Sequence, residues 1–363
     1  MSTFLGFVAD VLGSVVIPLA VLAKSPESGS STSFAIGIGG LDTGDNNTGG
    51  SIPHLAFWDI NGHRIGQYKG DEDGHINQNM EHKGSIQNYQ TVPKGEARQP
   101  EYVMISTQEK DAICISYVYA SGNGAQWAWY GDIGFNCGAD WFLSNFKVGS
   151  GTYSPKCVWI DHDHTNNLRY QGFSLHMPDF SSTDDRVTQF TNNPDTLCKS
   201  SPRMKFWENI TPNGLIPFFK PPLKYTDGGA DANPARVIDK VKRSIGSSRH
   251  FSRNNGNNKP GHLIVSSMAT HSAKELCESG TSVGPDFVST TERVFCDMSE
   301  KEWWYLCSPD VLTGCFDLKT EKMVGRKRPA DGPDGKSSSI DVRDTATGRV
   351  IPDKSYTTTV EWN

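Results

Sequence analysis

Eight cysteines fall into two groups of four: Cys114, Cys137, Cys157 and Cys198, then Cys277, Cys296, Cys307 and Cys315. An even count split evenly along the chain argues for disulfides made within each group, and so for two separately stapled units in an oxidising compartment. Spacing alone does not give the connectivity. The short intervals from Cys277 to Cys296 and from Cys307 to Cys315 favour pairs inside the second group. No CxxC pair occurs, which disfavours a structural zinc site of the usual spacing. The alternative is a set of buried free thiols in a cytosolic protein. At 363 residues there is room for two domains. The 36 glycines and 20 prolines suit many short strands joined by turns. A net charge of −6 and an acidic isoelectric point near 5.9 argue against nucleic acid as a partner, since phosphate neutralisation needs a basic surface.

Residues 1–23 form an apolar N-terminal segment. Within it, "FLGFVADVLGSVVIPLAVLA" ends on the small residues that a signal peptidase reads, so a cleaved secretion signal is expected. No basic residue precedes the run, and Asp10 interrupts it. Phe4, Val8, Val11, Leu12, Val15 and Leu19 also follow a helical face, which leaves a retained membrane-touching helix or a docking helix as alternatives. Asp10, Gly13 and Pro18 together disfavour a bilayer span. Asn46 and Asn209 begin glycosylation sequons.

From 33 to 220 the dominant signal is the strand. "SFAIGIGG" alternates, and Asn61-Gly62 supplies the positive φ angles of a tight hairpin between two apolar runs. In "DAICISYVYA", Ile113, Ile115 and Tyr117 take one face and Ala112, Cys114 and Val118 the other, as expected of a central strand buried on both sides. Strands at this density, without helical periods between them, predict a mainly β protein: an antiparallel β-sandwich of jelly-roll-like type, with a barrel as the alternative. Residues 221–262 are rich in Pro, Gly, Asn and Arg and read as a flexible basic linker, with a dibasic Lys242-Arg243. Residues 263–363 read as a small disulfide-stabilised α+β segment. Its core alone would be marginal, and it carries a disordered loop near 325–339. Ser267 is the expected cap of a short helix that Gly280 ends. No internal repeat is evident.

The stretches "AICISYVYASGNGAQWAWYGDIGFNCGADWF", "KCVWIDHDHTNN" and "ELCESGTSVGPDFVS…FCDMSEKEWWYLC" resemble a group of uncharacterised secreted cysteine-containing proteins of filamentous fungi. The resemblance spans both cysteine groups. It implies secretion and disulfides and carries no established activity, so it assigns no catalytic residue.

Two constellations bear on chemistry. In "VWIDHDHTNN", Asp161, His162, Asp163 and His164 follow an apolar start. As a continued strand, this stretch would set the two aspartates on one face and the two histidines on the other, about 7 Å apart. His-x-His could chelate a transition metal with a third ligand from elsewhere. The aspartates could bind Ca²⁺ with oxygens of the following Thr-Asn-Asn, or do acid–base work. The plainer expectation is a strand exit whose aspartates organise the turn. No cofactor is expected beyond a weak Ca²⁺ site. In "WAWYGD" and "CGADWF", Trp127, Trp129, Tyr130, Asp132, Asp140 and Trp141 offer rings and carboxylates of the kind that hold sugars; the competing expectation is that the rings are core. Trp127 and Trp129 share a face of a regular strand and should be buried or exposed together. There is no GxSxG, HExxH or phosphate-binding glycine loop. The expected function is therefore a secreted non-catalytic binding or structural protein, directed at cell-wall or host glycans. The alternatives are a carboxylate-dependent hydrolase, or a membrane-active effector-like protein if residues 4–23 are retained.

Overall fold

The computed structural model describes residues 31–40, 48–70, 74–88, 99–122, 125–148, 153–180, 183–233, 261–327, 342–343 and 350–363. The N-terminal apolar segment, Asn46, residues 234–260 with their dibasic pair, and most of the 325–339 loop lie outside the described residues. The chain divides into two compact units, Met1–Arg249 and His250–Asn363.

The strands of the first unit are β1 (Ser31–Ile38), β2 (Gly50–Ser51), β3 (His54–Trp58), β4 (Arg64–Tyr68), β5 (His75–Ile76), β6 (Glu81–Gln87), β7 (Tyr102–Ser106), β8 (Ile113–Gly122), β9 (Ala125–Tyr130), β10 (Trp141–Phe142), β11 (Cys157–Ile160), β12 (Gly172–His176) and β13 (Met204–Trp207). The helices are α1 (Gly131–Asn136), α2 (Asp184–Asn192) and α3 (Asp195–Cys198). One sheet runs β10-β11-β8-β1-β6 with β9 also beside β8; the other runs β13-β12-β7-β3-β4. The pairings in both are antiparallel. The chain crosses repeatedly between the sheets, which makes a β-sandwich.

Period-two alternation builds its core. Phe34, Ile36 and Ile38 of β1 meet Leu55 and Phe57 of β3, Val103 and Ile105 of β7, and Phe173 and Leu175 of β12. The outer faces are covered as well, by Ala35, Tyr117, Tyr119 and Tyr130 on one sheet and by Ala56, Trp58, Tyr102 and Met104 on the other. That is why the strands read as apolar on both sides.

One face assignment is corrected. Ile113 and Ile115 share the inner core with Val118 and Ala120, while Tyr117 and Tyr119 lie on the outer face. Gly37 stands opposite Tyr117 but Ile38 opposite Ile115, so Ser116 is an extra residue in the ladder. A β-bulge of one residue inverts the side every later residue faces. Above and below it, β8 pairs with different strands: Ile113–Ile115 with β11, and Tyr117–Gly122 with β9.

Residues 221–233, expected in the linker, are docked instead. Phe219 and Leu223 are buried together with Tyr225 against them, Tyr225 bridges Asp231, and Asp231 is buried. Polar composition suggested a solvated segment, yet an ion-pair network described below holds it.

The second unit has β14 (His262–Ser266), β15 (Asp286–Ser289), β16 (Val294–Asp297), β17 (Glu302–Leu306), β18 (Cys315–Asp317), β19 (Lys322–Val324), β20 (Arg326–Lys327), β21 (Val342–Arg343) and β22 (Thr358–Trp362), with helix α4 (Ala273–Glu278). Its main sheet runs β19-β18-β17-β16-β15-β14-β22. β14 is parallel to both β15 and β22, and β17 is parallel to β18; the other pairs are antiparallel. The core is Leu263, Val288, Phe295, Trp304, Phe316 and Ile351, with Phe295 and Phe316 stacked at 4.2 Å. The helix cap is Ser272 rather than Ser267: its hydroxyl accepts from the Glu275 amide at 3.0 Å, and Glu292 takes the Ala273 amide at 2.7 Å. Ser267 donates to Trp362 in β22.

All four disulfides form within the two cysteine groups. Cys114–Cys157 joins β8 to β11, and Cys137–Cys198 joins the end of α1 to α3. Cys277–Cys296 fastens α4 to β16, and Cys307–Cys315 closes the β17–β18 connection.

A repeated turn also emerges that composition did not reveal. The pairs Ser289–Val294, Asp297–Glu302 and Asp317–Lys322 close hairpins through four residues each. The fourth is left-handed every time: Arg293, Lys301 and Glu321 have φ of 57°, 55° and 52°. The opening side chain accepts a turn amide in each, Ser289 from Glu292, Asp297 from Ser299 and Asp317 from Lys319.

Two outcomes follow for stability. Glu321→Gly should raise stability by up to about 1 kcal/mol in denaturant melts, because relief of left-handed strain exceeds the added unfolded-state freedom. Replacing Cys137 and Cys198 together by Ala opens a 61-residue separation and should cost about 4 kcal/mol on the chain-entropy scale.

Candidate functional site

The polar run 161–164 sits where the chain leaves the six-stranded sheet at Ile160 and crosses to β12. It does not continue the strand. The Asp161 amide donates to Tyr170 at 2.8 Å. The buried Asp161 carboxylate accepts from the Thr165 hydroxyl at 2.9 Å, and Asp163 accepts from the Thr165 amide at 3.3 Å. Burial, with the Asp163 carboxylate adding to it, pushes Asp161 above the usual carboxylate range against the opposing Thr165 bond. His164, Asn166 and Asn167 are left-handed, a conformation asparagine tolerates better than most residues. His162 meets the Gln171 side chain at 2.7 Å, and His164 meets the Leu168 carbonyl at 3.1 Å. Gln171 also bonds the Thr107 carbonyl and the Ile210 amide, which knits two crossovers together. Asn209 is exposed beside this turn. Among the described residues, no three His, Cys, Asp or Glu side chains converge as a metal site.

The aromatic run is placed differently from an open sugar platform. Trp127 and Trp129 do share a face, opposite Ala120 and Val118, but it is the inner one. Trp129 is 0% exposed and packs on Phe173 at 4.8 Å; Trp127 lies partly buried against the same core. Tyr130 is buried on the outer face, and Trp141 is buried against Phe135. Asp132 accepts from the Tyr153 hydroxyl and faces Lys156 at 3.7 Å. Asp140 holds Arg169 through its amide at 2.7 Å and its Nε at 2.8 Å. Burial pushes both carboxyls up, with Lys156 and Arg169 opposing it. The strand period that pairs these rings also turns them into the core, so they serve packing.

Among the described residues a dense ionisable cluster gathers around His176, whose partners the sequence does not indicate. His176, which ends β12, contacts Asp179 at 2.8 Å through Nδ1 and Glu101 at 3.6 Å through Nε2. Arg203 bridges Asp179 and Asp231. Arg186 of α2 reaches the same pair at 2.9 and 3.5 Å. The Tyr225 hydroxyl donates to Asp179 at 3.0 Å and Gln189 to Asp231 at 2.6 Å. Burial alone would push His176 down, but Asp179 and Glu101 hold it above its ordinary value. Burial would push Asp179 up, but His176, Arg203 and Arg186 hold it below. A His–Asp pair resembles acid–base machinery. Here the partners are other protein groups, buried or partly buried, so the network fastens the 221–233 segment, α2 and β13 to one another. The only sequence signal is charge set among apolar strand ends, which does not say which charges meet.

The second unit offers a surface the sequence left unassigned. On β17 the buried Trp304 faces the core, and the partly buried Trp303 and the exposed Tyr305 lie on the opposite face. Their rings are 5.3 Å apart at 77°, and Lys274 of α4 lies 4.6 Å from the Trp303 ring and 5.6 Å from that of Tyr305. Tyr305 is 48% exposed. Leu312, within the Cys307–Cys315 loop, is exposed too. Among the described residues no helix is long and apolar enough to cross a membrane.

No protein-family model matches the chain, and no characterised protein matches it.

Arg203→Leu should cost about 3–5 kcal/mol, the usual result of orphaning buried opposite charges. Stability of the first unit should also depend on pH from both sides. The His176 contribution is complete below its ordinary 6.5 and is lost as pH rises through the raised folded value. The Asp179 contribution is complete above 3.8 and is lost as pH falls through the depressed one. Thermal melts followed by tryptophan fluorescence check this, with His176→Gln abolishing the alkaline limb and weakening the acid one, since His176 is among the groups that depress Asp179.

Proposed function

We propose that the protein is a secreted, non-catalytic binding protein directed at carbohydrate, and that it meets its ligand on the second unit through Trp303 and Tyr305. The observation that carries this reading is the outward ring pair. Most aromatic rings among the described residues are spent on packing, whereas these two lie on the sheet face away from Trp304, beside a lysine. Rings at a steep angle form a corner that stacks on the apolar face of a pyranose, and an ammonium nearby donates to hydroxyl or carboxylate groups. Four disulfides suggest an oxidising, secretory or extracellular environment. The resemblance to secreted fungal proteins points the same way, and glycans of a cell wall or host surface are the partners it would meet.

The hydrolase alternative has less support. It would need carboxylates converging on a substrate, yet Asp132, Asp140 and Asp161 are each held by a neighbouring side chain. The membrane-active alternative rests on residues 4–23, outside the described residues.

A glycan array with the disulfide-intact protein, run with Ca²⁺ and with EDTA, should give binding that is indifferent to the chelator. Trp303→Ala and Tyr305→Ala should each weaken it by roughly tenfold or more, the loss of one ring contact. Retained binding in both variants would move the surface elsewhere, and an array without any hit would end the carbohydrate reading.

A further inference from the structure

Asp286 opens β15 and Asp297 ends β16, each one residue beyond the Phe287–Cys296 pair, so two buried carboxyl groups stand side by side on neighbouring strands. Like charges in that position repel, and Lys354 answers them from the segment leading into β22. Its Nζ lies 2.7 Å from Asp297 Oδ1 and 3.0 Å from Asp286 Oδ2, and its side chain is only 11% exposed. It also donates to the Ser299 hydroxyl oxygen at 3.1 Å.

The two carboxyl groups are not equivalent. Asp286 has a donor on each oxygen, the Met298 amide at 2.8 Å on Oδ1 and the Tyr356 hydroxyl at 2.7 Å on Oδ2. Asp297 gathers its donors on Oδ1 alone: the Ser299 and Glu300 amides at 2.9 and 3.2 Å and the Ser299 hydroxyl at 2.6 Å. Its Oδ2 is buried with no hydrogen-bond partner among the described residues, a costly state for a carboxylate oxygen.

That asymmetry has a chemical meaning. Donors converging on one oxygen draw electron density from the carboxyl carbon and stabilise negative charge that develops there, as an oxyanion hole does. The oxygen without donors is the one free to depart. The amine already touches Oδ1, and the carbon lies one bond beyond, near the separation of about 3–3.5 Å from which reacting atoms start.

We propose that Lys354 and Asp297 join in an intramolecular isopeptide bond, a crosslink the chain makes on itself, with Asp286 carrying the protons. The Lys354 ammonium passes one proton through Asp286 to Asp297 Oδ2, and the freed lone pair adds to the Asp297 carboxyl carbon. A second proton follows the same route, the C–Oδ2 bond breaks, and that oxygen leaves as water. One hydrogen stays on the amide nitrogen, Oδ1 keeps its three donors, Asp286 returns to its starting state, and nothing is oxidised or reduced. Burial alone would push Lys354 down, but Asp286 and Asp297 hold it above its ordinary value, so the neutral amine is the minor form and the bond forms slowly. Burial pushes Asp286 above the usual carboxylate range against Lys354, with Asp297 adding to it, which suits a proton carrier. The product removes one buried cation and one buried anion together with the orphaned oxygen. The bond spans 57 residues and withstands the reductants that would open Cys277–Cys296 and Cys307–Cys315. It does not rest on the carbohydrate reading.

Peptide mapping of the unaltered chain, reduced, alkylated and digested with trypsin, tests this by mass spectrometry. Cleavage after Lys274, Arg293, Lys301 and Arg349 places Asp286 in residues 275–293, Asp297 in 294–301 and Lys354 in 350–363. The expected product is a branched peptide of 294–301 and 350–363, uncut at Lys354 and lighter than its two parts by one water, with fragment ions that put the branch at Asp297. Recovery of 294–301, 350–354 and 355–363 as separate peptides would show an ion pair only and overturn the proposal. A branch to 275–293 would overturn it as well, since Asp286 would then be the acceptor. Asp286→Asn should leave the peptides unlinked, whereas Asp286→Glu, which keeps a carboxyl group, should restore the branch; equal yields in the two variants would remove Asp286 from the reaction. Because the bond is read on the unaltered chain, that result stands whatever the stability of the variants.

Discussion

A guanidinium cannot shed its proton at any accessible pH, so Arg203, with 0% of its surface exposed, obliges the rest of the first unit to supply carboxylates. Asp179 and Asp231 do so, and Arg186 doubles the demand on the same pair. Meeting it fixes the turn after β12, the orientation of α2, the start of β13 and the docking of residues 221–233. His176 joins through Asp179, and Glu101 adds a third carboxylate beside it. Burying so much charge stabilises nothing by itself, since the desolvation cost rivals the attraction. It does penalise any arrangement that separates the partners.

The second unit uses the same device with different residues. Lys354, from the segment leading into β22, lies between Asp286 of β15 and Asp297 of β16. Asp297 also caps the turn that ends in Lys301. In both units a late stretch of chain delivers a charge into a place that earlier strands have prepared. Disulfides bind a largely different set of elements covalently, β8 to β11, α1 to α3, α4 to β16 and β17 to β18, and each spans a connection that loop entropy would otherwise oppose.

The polar residues that most resembled chemistry in the sequence are therefore largely architectural. Asp161 and Asp163 steer a crossover, Asp140 clamps Arg169, and Asp132 joins Tyr153 to Lys156. The ring pair of β17 stands apart from these buried groups, on the sheet face opposite Trp304.

Alternating apolar residues, turn-forming glycines and an even division of cysteines are local or countable properties, and they determined the mainly β class, the sandwich and the confinement of disulfides to each half. Even the strand carrying Trp127 and Trp129 was legible, together with the face they share. The side of that face was not, because period two says which residues go together and leaves open which way they point. The bulge at Ser116 escaped for a related reason: one extra residue is visible only against its partner strand. Tertiary structure alone decided which charges meet. Arg203 is 24 residues from Asp179 and 28 from Asp231, and Lys354 is 57 from Asp297. No periodicity links such positions, and their pairing follows from strand order, which sets what reaches each buried site and what is left at the surface.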